Sequence, residues 1–90
     1  MLNIMEIRAN EVYTVDIHNY NVADAKKYLE RLIVSIKPEI KEIIVIHGYR
    51  RGEALMTLVR KDLKSNKISK RVLSINPGVT SLIIEMKEKN

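Results

Sequence analysis

The stretch Glu42-Ile43-Ile44-Val45-Ile46-His47-Gly48-Tyr49-Arg50-Arg51-Gly52 decides the fold. Ile43 to Ile46 is an unbroken β-branched run. It suits a central strand covered on both faces, or on one face plus an edge element. Gly48 and Gly52 then punctuate the chain. Leu55, Leu58, Val59 and Leu63 follow at helical spacing, while Thr57, Arg60, Lys61 and Lys64 take another side, which predicts a helix over about 53–65. A strand, a short glycine loop and a helix in succession put that loop at the carboxyl end of the strand.

Upstream, Tyr13, Val15 and Ile17 alternate with Thr14, Asp16 and His18, the period-2 pattern of a strand over Val12 to His18. Asn19-Tyr20-Asn21 is a turn, and Asn21 is a good N-cap with Asp24 three residues on. Val22, Ala25, Leu29, Leu32, Ile33 and Ile36 then form one apolar helical stripe, which Pro38 ends. Downstream, Ser65-Asn66-Lys67 is a connector and Val72 to Ile75 a third strand. Asn76-Pro77-Gly78 is a turn, and Val79 to Met86 is a fourth strand. The order β-α-β-α-β-β predicts a two-layer α/β sandwich: a mixed four-stranded sheet with two helices, the first two strands parallel and the last two antiparallel. Residues 1–11, with Leu2, Ile4, Met5 and Ile7, form an arm able to pair at a sheet edge. The domain proper is 12–87, and 88–90 is a frayed tail.

Ninety residues make one domain, and 46% apolar with 30% charged residues is a globular composition. The net charge is +5, and it is unevenly placed. Residues 1–49 are net −1, residues 50–71 are net +6 and residues 72–90 are neutral. A local basic segment points to an anionic partner. The chain has no Cys, which rules out disulfides and thiol chemistry, and two His fall short of an all-His zinc site. No stretch approaches the roughly 20 apolar residues of a bilayer span, and the N-terminus lacks the pattern of a signal peptide. The expected location is the cytoplasm, with no membrane partner and a monomer as the simplest state.

The two histidines end the first two strands. Parallel neighbours bring His18 and His47 to one carboxyl edge, where open α/β sheets place ligands. Asp16 lies two residues before His18, and the 48–52 loop opens the second helix, whose N-terminus favours an anion. A carboxylate, two imidazoles and two Arg suit a phosphate group, and His can move protons in phosphodiester cleavage. Each feature also has a plainer reading. A strand-end His is commonly a surface or satisfied polar residue. Asp16 can bond the following turn, and Gly48 and Gly52 can simply shape a loop. Tyr49 can stack on a base or anchor the loop, and Arg60, Lys61 and Lys64 can form a solvated helix face.

Together these motifs resemble the Smr (small MutS-related) domain over residues 12–87. Val15-Asp16-Ile17-His18 is similar to the first half of its Leu-Asp-Leu-His-Gly motif. His47-Gly48-Tyr49-Arg50-Arg51-Gly52 is similar to its His-Gly-x-Gly-x-Gly loop, and the spacing and element order also match. The resemblance implies the fold of the C-terminal domain of bacterial translation initiation factor three, nucleic-acid binding, and nicking endonuclease activity on DNA or RNA. It ties Asp16 and His18 to cleavage and matches His47, Gly48 and Gly52 to the loop motif. The residues themselves then suggest His18 as the catalytic acid or base, Asp16 orienting it and His47 assisting or holding the substrate, with nucleic-acid contacts from Gly48, Tyr49, Arg50, Arg51 and Gly52. Arg60, Lys61, Lys64, Lys67, Lys70 and Arg71 would track the nucleic-acid backbone. No cofactor is firmly implied, and metal dependence is open. Asn19 replaces the Gly of the first motif and Arg50 the middle Gly of the loop. If that Gly has positive φ, Arg50 costs about 1–2 kcal/mol and the loop changes shape. Two alternatives follow: a binding module without catalysis, favoured by the altered loop, and a protein-interaction or ribosome-associated adaptor whose edge strand or N-terminal arm pairs to a partner, supported by the apolar arm.

Overall fold

Asn21 starts the first helix as its sequence predicts. Its side-chain oxygen accepts the Asp24 N–H at 2.8 Å, and its Nδ2 donates to the Asp24 carboxylate at 3.2 Å. In the computed structural model, which describes residues 5–50 and 52–85, this helix is α1 (Val22–Ser35). Ile36 is already extended at φ −63°, ψ 141°, two residues before Pro38. Ala25, Leu29 and Ile33 are buried along one stripe, and Val22 stays exposed at its start.

The chain is a small α/β protein; its described residues form two helices and a mixed sheet of five strands, one more than expected. The strands are β1 (Met5–Ala9), β2 (Val12–Asp16), β3 (Glu42–Ile46), β4 (Ile68–Leu73) and β5 (Val79–Ile84), in the spatial order β1-β2-β3-β5-β4. β2 and β3 are parallel, with Asp16 level with Ile46, and all other pairings are antiparallel. The extra strand is the arm. Met5 to Ala9 folds back on β2 through a two-residue turn in which Asn10 takes φ 58°, a left-handed value that Asn tolerates. Polar contacts fix it there. Tyr13 Oη donates to Glu6 Oε1 at 2.7 Å, Tyr28 Oη donates to Glu6 Oε2, and Arg8 pairs with Glu39 at 3.3 Å. Leu2, Ile4, Met86 and the tail lie outside the described residues.

The third predicted strand begins four residues early, at Ile68, because Arg71 takes an inward position that sequence reading reserves for apolar residues. It bonds Val59 O at 2.9 Å and Leu63 O, the open carbonyls at the end of the second helix. That helix is shorter than predicted. α2 (Ala54–Thr57) continues into a π-helical turn, Leu58–Asp62, closed by Leu63 N–H to Leu58 O at 2.8 Å. The wider turn lets Leu58, Val59 and Leu63 all point inward.

One core joins the helices to the sheet. Val15, Ile17, Ile43, Val45, Leu82 and Ile84 are buried, while the residues between them on β3 and β5 are half-buried. Both helices therefore cover one face, and the β-branched run of β3 belongs to a two-layer structure with its second face open. No helix of the described residues is long and apolar enough to cross a membrane.

Candidate functional site

The parallel pairing of β2 and β3 carries both histidines to one edge of the sheet, where a cleft of about 840 Å³ opens. Asp16, His18, His47, Gly48, Tyr49 and Arg50 are among its lining residues, and the start of α2 closes one end with Ala54 and Leu55.

Asp16 and His18 form a pair. One carboxylate oxygen, Asp16 Oδ1, takes the His18 main-chain N–H at 3.1 Å and faces His18 Nδ1 at 2.5 Å. Asp16 therefore both shapes the turn and orients the ring. A carboxylate accepts, so Nδ1 carries the proton and Nε2 is left open. The His18 side chain is half exposed at the cleft, and that of Asp16 is 23% exposed.

His47 is placed differently. It is 2% exposed and both ring nitrogens have partners. Nδ1 lies 2.8 Å from Gly48 O, and Nε2 lies 2.9 Å from Thr80 Oγ1, which also accepts from Arg60 Nε at 2.8 Å. A carbonyl only accepts, so the ring is the Nδ1–H tautomer and Nε2 receives the Thr80 hydroxyl proton. Burial, and then the Arg60 charge, push the His47 pKa below its ordinary value against the opposing Gly48 bond. A neutral, fully bonded imidazole has no nitrogen left for substrate protons. His47, expected among the catalytic residues, thus lies buried at the cleft with both ring nitrogens bonded within the protein.

Among the described residues, positive φ in this region is confined to Gly48 (76°) and Gly52 (110°). Arg50 occupies its position without left-handed strain, exposed at the cleft beside the half-exposed Tyr49. Asn19 likewise needs no positive φ. Arg51 lies outside the described residues.

The basic segment divides. Arg60 holds Thr80 and Pro77 O, Lys67 Nζ reaches Ile33 O and Val34 O at 3.1 Å each, and Arg71 caps the π-helical turn Leu58–Asp62. These three cations, expected on a phosphate track, are half-buried and bond internal carbonyls and hydroxyls. Lys61, Lys64 and Lys70 are exposed but do not line the cleft. The acidic and imidazole groups of the described residues form no cluster of three or more suited to a metal ion.

Two contributors escape the sequence reading. Gly78 O accepts both His47 N–H at 2.9 Å and Gly48 N–H at 3.0 Å, tying the glycine loop to the turn before β5. Thr80 is the buried hydroxyl under His47. Extending the inward alternation of Leu82 and Ile84 back by two residues reaches Thr80, a polar residue on an apolar face, and that was its available signal.

Comparison with known protein families, curated proteins and solved structures finds no match to this chain.

Proposed function

We propose that the chain is an Smr-like nucleic-acid-binding domain, with the fold type of the C-terminal domain of translation initiation factor three, that nicks phosphodiester bonds in the cytoplasm. The observation that carries this reading is the Asp16–His18 pair, held at 2.5 Å on the wall of an open cleft. In the proposed mechanism His18 Nε2 takes the proton of the attacking water or ribose hydroxyl as the nucleophile approaches phosphorus. Asp16 holds the Nδ1–H tautomer and stabilises the imidazolium that forms. Arg50 and the loop amides offset the charge on the phosphate oxygens. The imidazolium then returns its proton toward the leaving oxygen.

The test is nicking of supercoiled DNA and cleavage of structured RNA by wild type, Asp16→Ala and His18→Ala. The reading expects turnover in wild type and its loss in both variants; equal activity in all three removes the catalytic roles.

A second reading is a binding module without catalysis. It is favoured by the burial of His47, which leaves His18 as the one imidazole exposed to the cleft. It expects salt-sensitive binding that weakens in Arg50→Gln and no turnover on any substrate. An adaptor reading rests on Met5–Ala9, the edge strand of the sheet, which pairs with β2 on one side and could take a partner strand on the other.

A further inference from the structure

The chain Arg60, Thr80, His47 is a buried polar device that the proposed mechanism does not use. Arg60 Nε donates to Thr80 Oγ1, Thr80 donates to His47 Nε2, and His47 Nδ1 donates to Gly48 O. Each member has one available partner arrangement, so the proton order is fixed along the whole chain. The last acceptor is the carbonyl of the peptide that joins Gly48 to Tyr49.

That peptide is trans, as are all those described. In a planar trans peptide the N–H points opposite to the C=O. With Gly48 O turned toward the buried His47 ring, the Tyr49 N–H points away from that ring, and both Gly48 and Tyr49 line the cleft. No acceptor among the described residues takes this N–H. Gly48 cannot turn freely to hide it, because its own N–H is held by Gly78 O at 3.0 Å and a Cβ in its place would stand 3.3 Å from His18 Cβ.

We propose that the Tyr49 main-chain N–H is an oxyanion donor for a phosphate oxygen of the ligand, and that Arg60, Thr80 and His47 are positioning residues which hold it in place. This rests on the phosphoryl-ligand reading above and assigns a contact within it. Thr80 has no other evident reason to be polar at a buried position facing the core, and Arg60 is drawn inward from a basic segment to complete the chain. The residue before the donor, Gly48, packs against His18, and Tyr49 and His18 line the same cleft.

The test is ¹H–¹⁵N NMR of the full chain, titrated first with inorganic phosphate and then with a short single-stranded oligonucleotide. In wild type the Tyr49 amide proton moves downfield with both, and long-range ¹H–¹⁵N correlations show His47 as the Nδ1–H tautomer. Thr80→Val weakens the phosphate response at Tyr49 by about tenfold, the loss of one charge-assisted contact, and Thr80→Ser restores it. Dispersed spectra certify that each variant is folded; if Thr80→Val is not, the Thr80→Ser and wild-type titrations decide. An unmoved Tyr49 amide, or one that responds equally in folded Thr80→Val, overturns the proposal. A Tyr49 response in a protein that cleaves nothing keeps the anion donor and removes the nuclease reading. Cleavage with a silent Tyr49 amide does the reverse.

Discussion

Gly78 and Gly48 meet backbone to backbone: a Cβ on Gly78 would stand 3.1 Å from the Gly48 Cα and 3.4 Å from its N. Neither atom belongs to a flexible side chain, so an alanine here must push the two segments apart. The same two segments share the hydrogen bonds from His47 and Gly48 to Gly78 O. Gly78→Ala is expected to destabilise the fold by about 1–3 kcal/mol, the usual cost of overpacking, measured by urea denaturation. Gly48→Ala is expected to cost a similar amount for a different reason, since its φ of +76° is left-handed and its Cβ would meet His18 Cβ at 3.3 Å. A variant of either kind as stable as wild type contradicts this packing.

His47 makes the stability pH-dependent. Its folded pKa is depressed, first by burial and then by Arg60. The folded state therefore resists protonation, while the unfolded chain takes up a proton near the ordinary value of about 6.5. The contribution is fully present above that pH and is lost as pH falls through it toward the folded pKa. The urea midpoint is expected to drop between pH 7.5 and 5, with a shallower drop in His47→Asn, whose amide nitrogen can still donate to Gly48 O. Identical pH slopes in the two proteins would show that His47 is not the titrating group.

Much of the frame was legible because local and global signals agree. The Asn21 cap, the stripe of α1 and the alternation of Val15 and Ile17 each have one physical explanation, and together they set the parallel β2–β3 pair that gathers Asp16, His18 and His47 at one edge. What was not legible depends on partners distant in sequence. Met5–Ala9 is a strand because Glu6 meets Tyr28, 22 residues on. Lys67 and Arg71 look like solvated cations until the ends of the helices they cap are in place. Whether His47 turns toward the cleft or the core is settled by Thr80, 33 residues away. Charge counting finds a basic segment but not which of its charges face outward.

The Glu6 carboxylate ties the edge strand to the rest of the protein through two phenols. Burial, the bond to Glu6 and its charge push the Tyr13 pKa up to about 12 and raise that of Tyr28 for the same causes. A raised folded pKa contributes stability that is complete below the unfolded value of about 10 and is lost as pH rises through the folded one. Ultraviolet titration of phenolate is expected to show late-ionising tyrosine that shifts to lower pH in Glu6→Gln. Tyr28→Phe is expected to cost about 1 kcal/mol, with hydrogen exchange quickening first along Met5–Ala9.

The proposed nucleic-acid binding would separate the cations by position rather than by count. Each phosphate neutralised contributes about 0.7–0.9 to the slope of log affinity against log salt. Arg50, exposed at the cleft, is expected to lower that slope by about this much when changed to Gln. Lys67 and Arg71 have their donors on the carbonyls of Ile33, Val34 and Val59, so Lys67→Met and Arg71→Met are expected to leave the slope unchanged. Their effect falls on stability instead, about 1 kcal/mol each for the lost caps, seen in the urea midpoint. A slope that falls equally for all three variants would return Lys67 and Arg71 to the ligand surface and undo their assignment as helix caps.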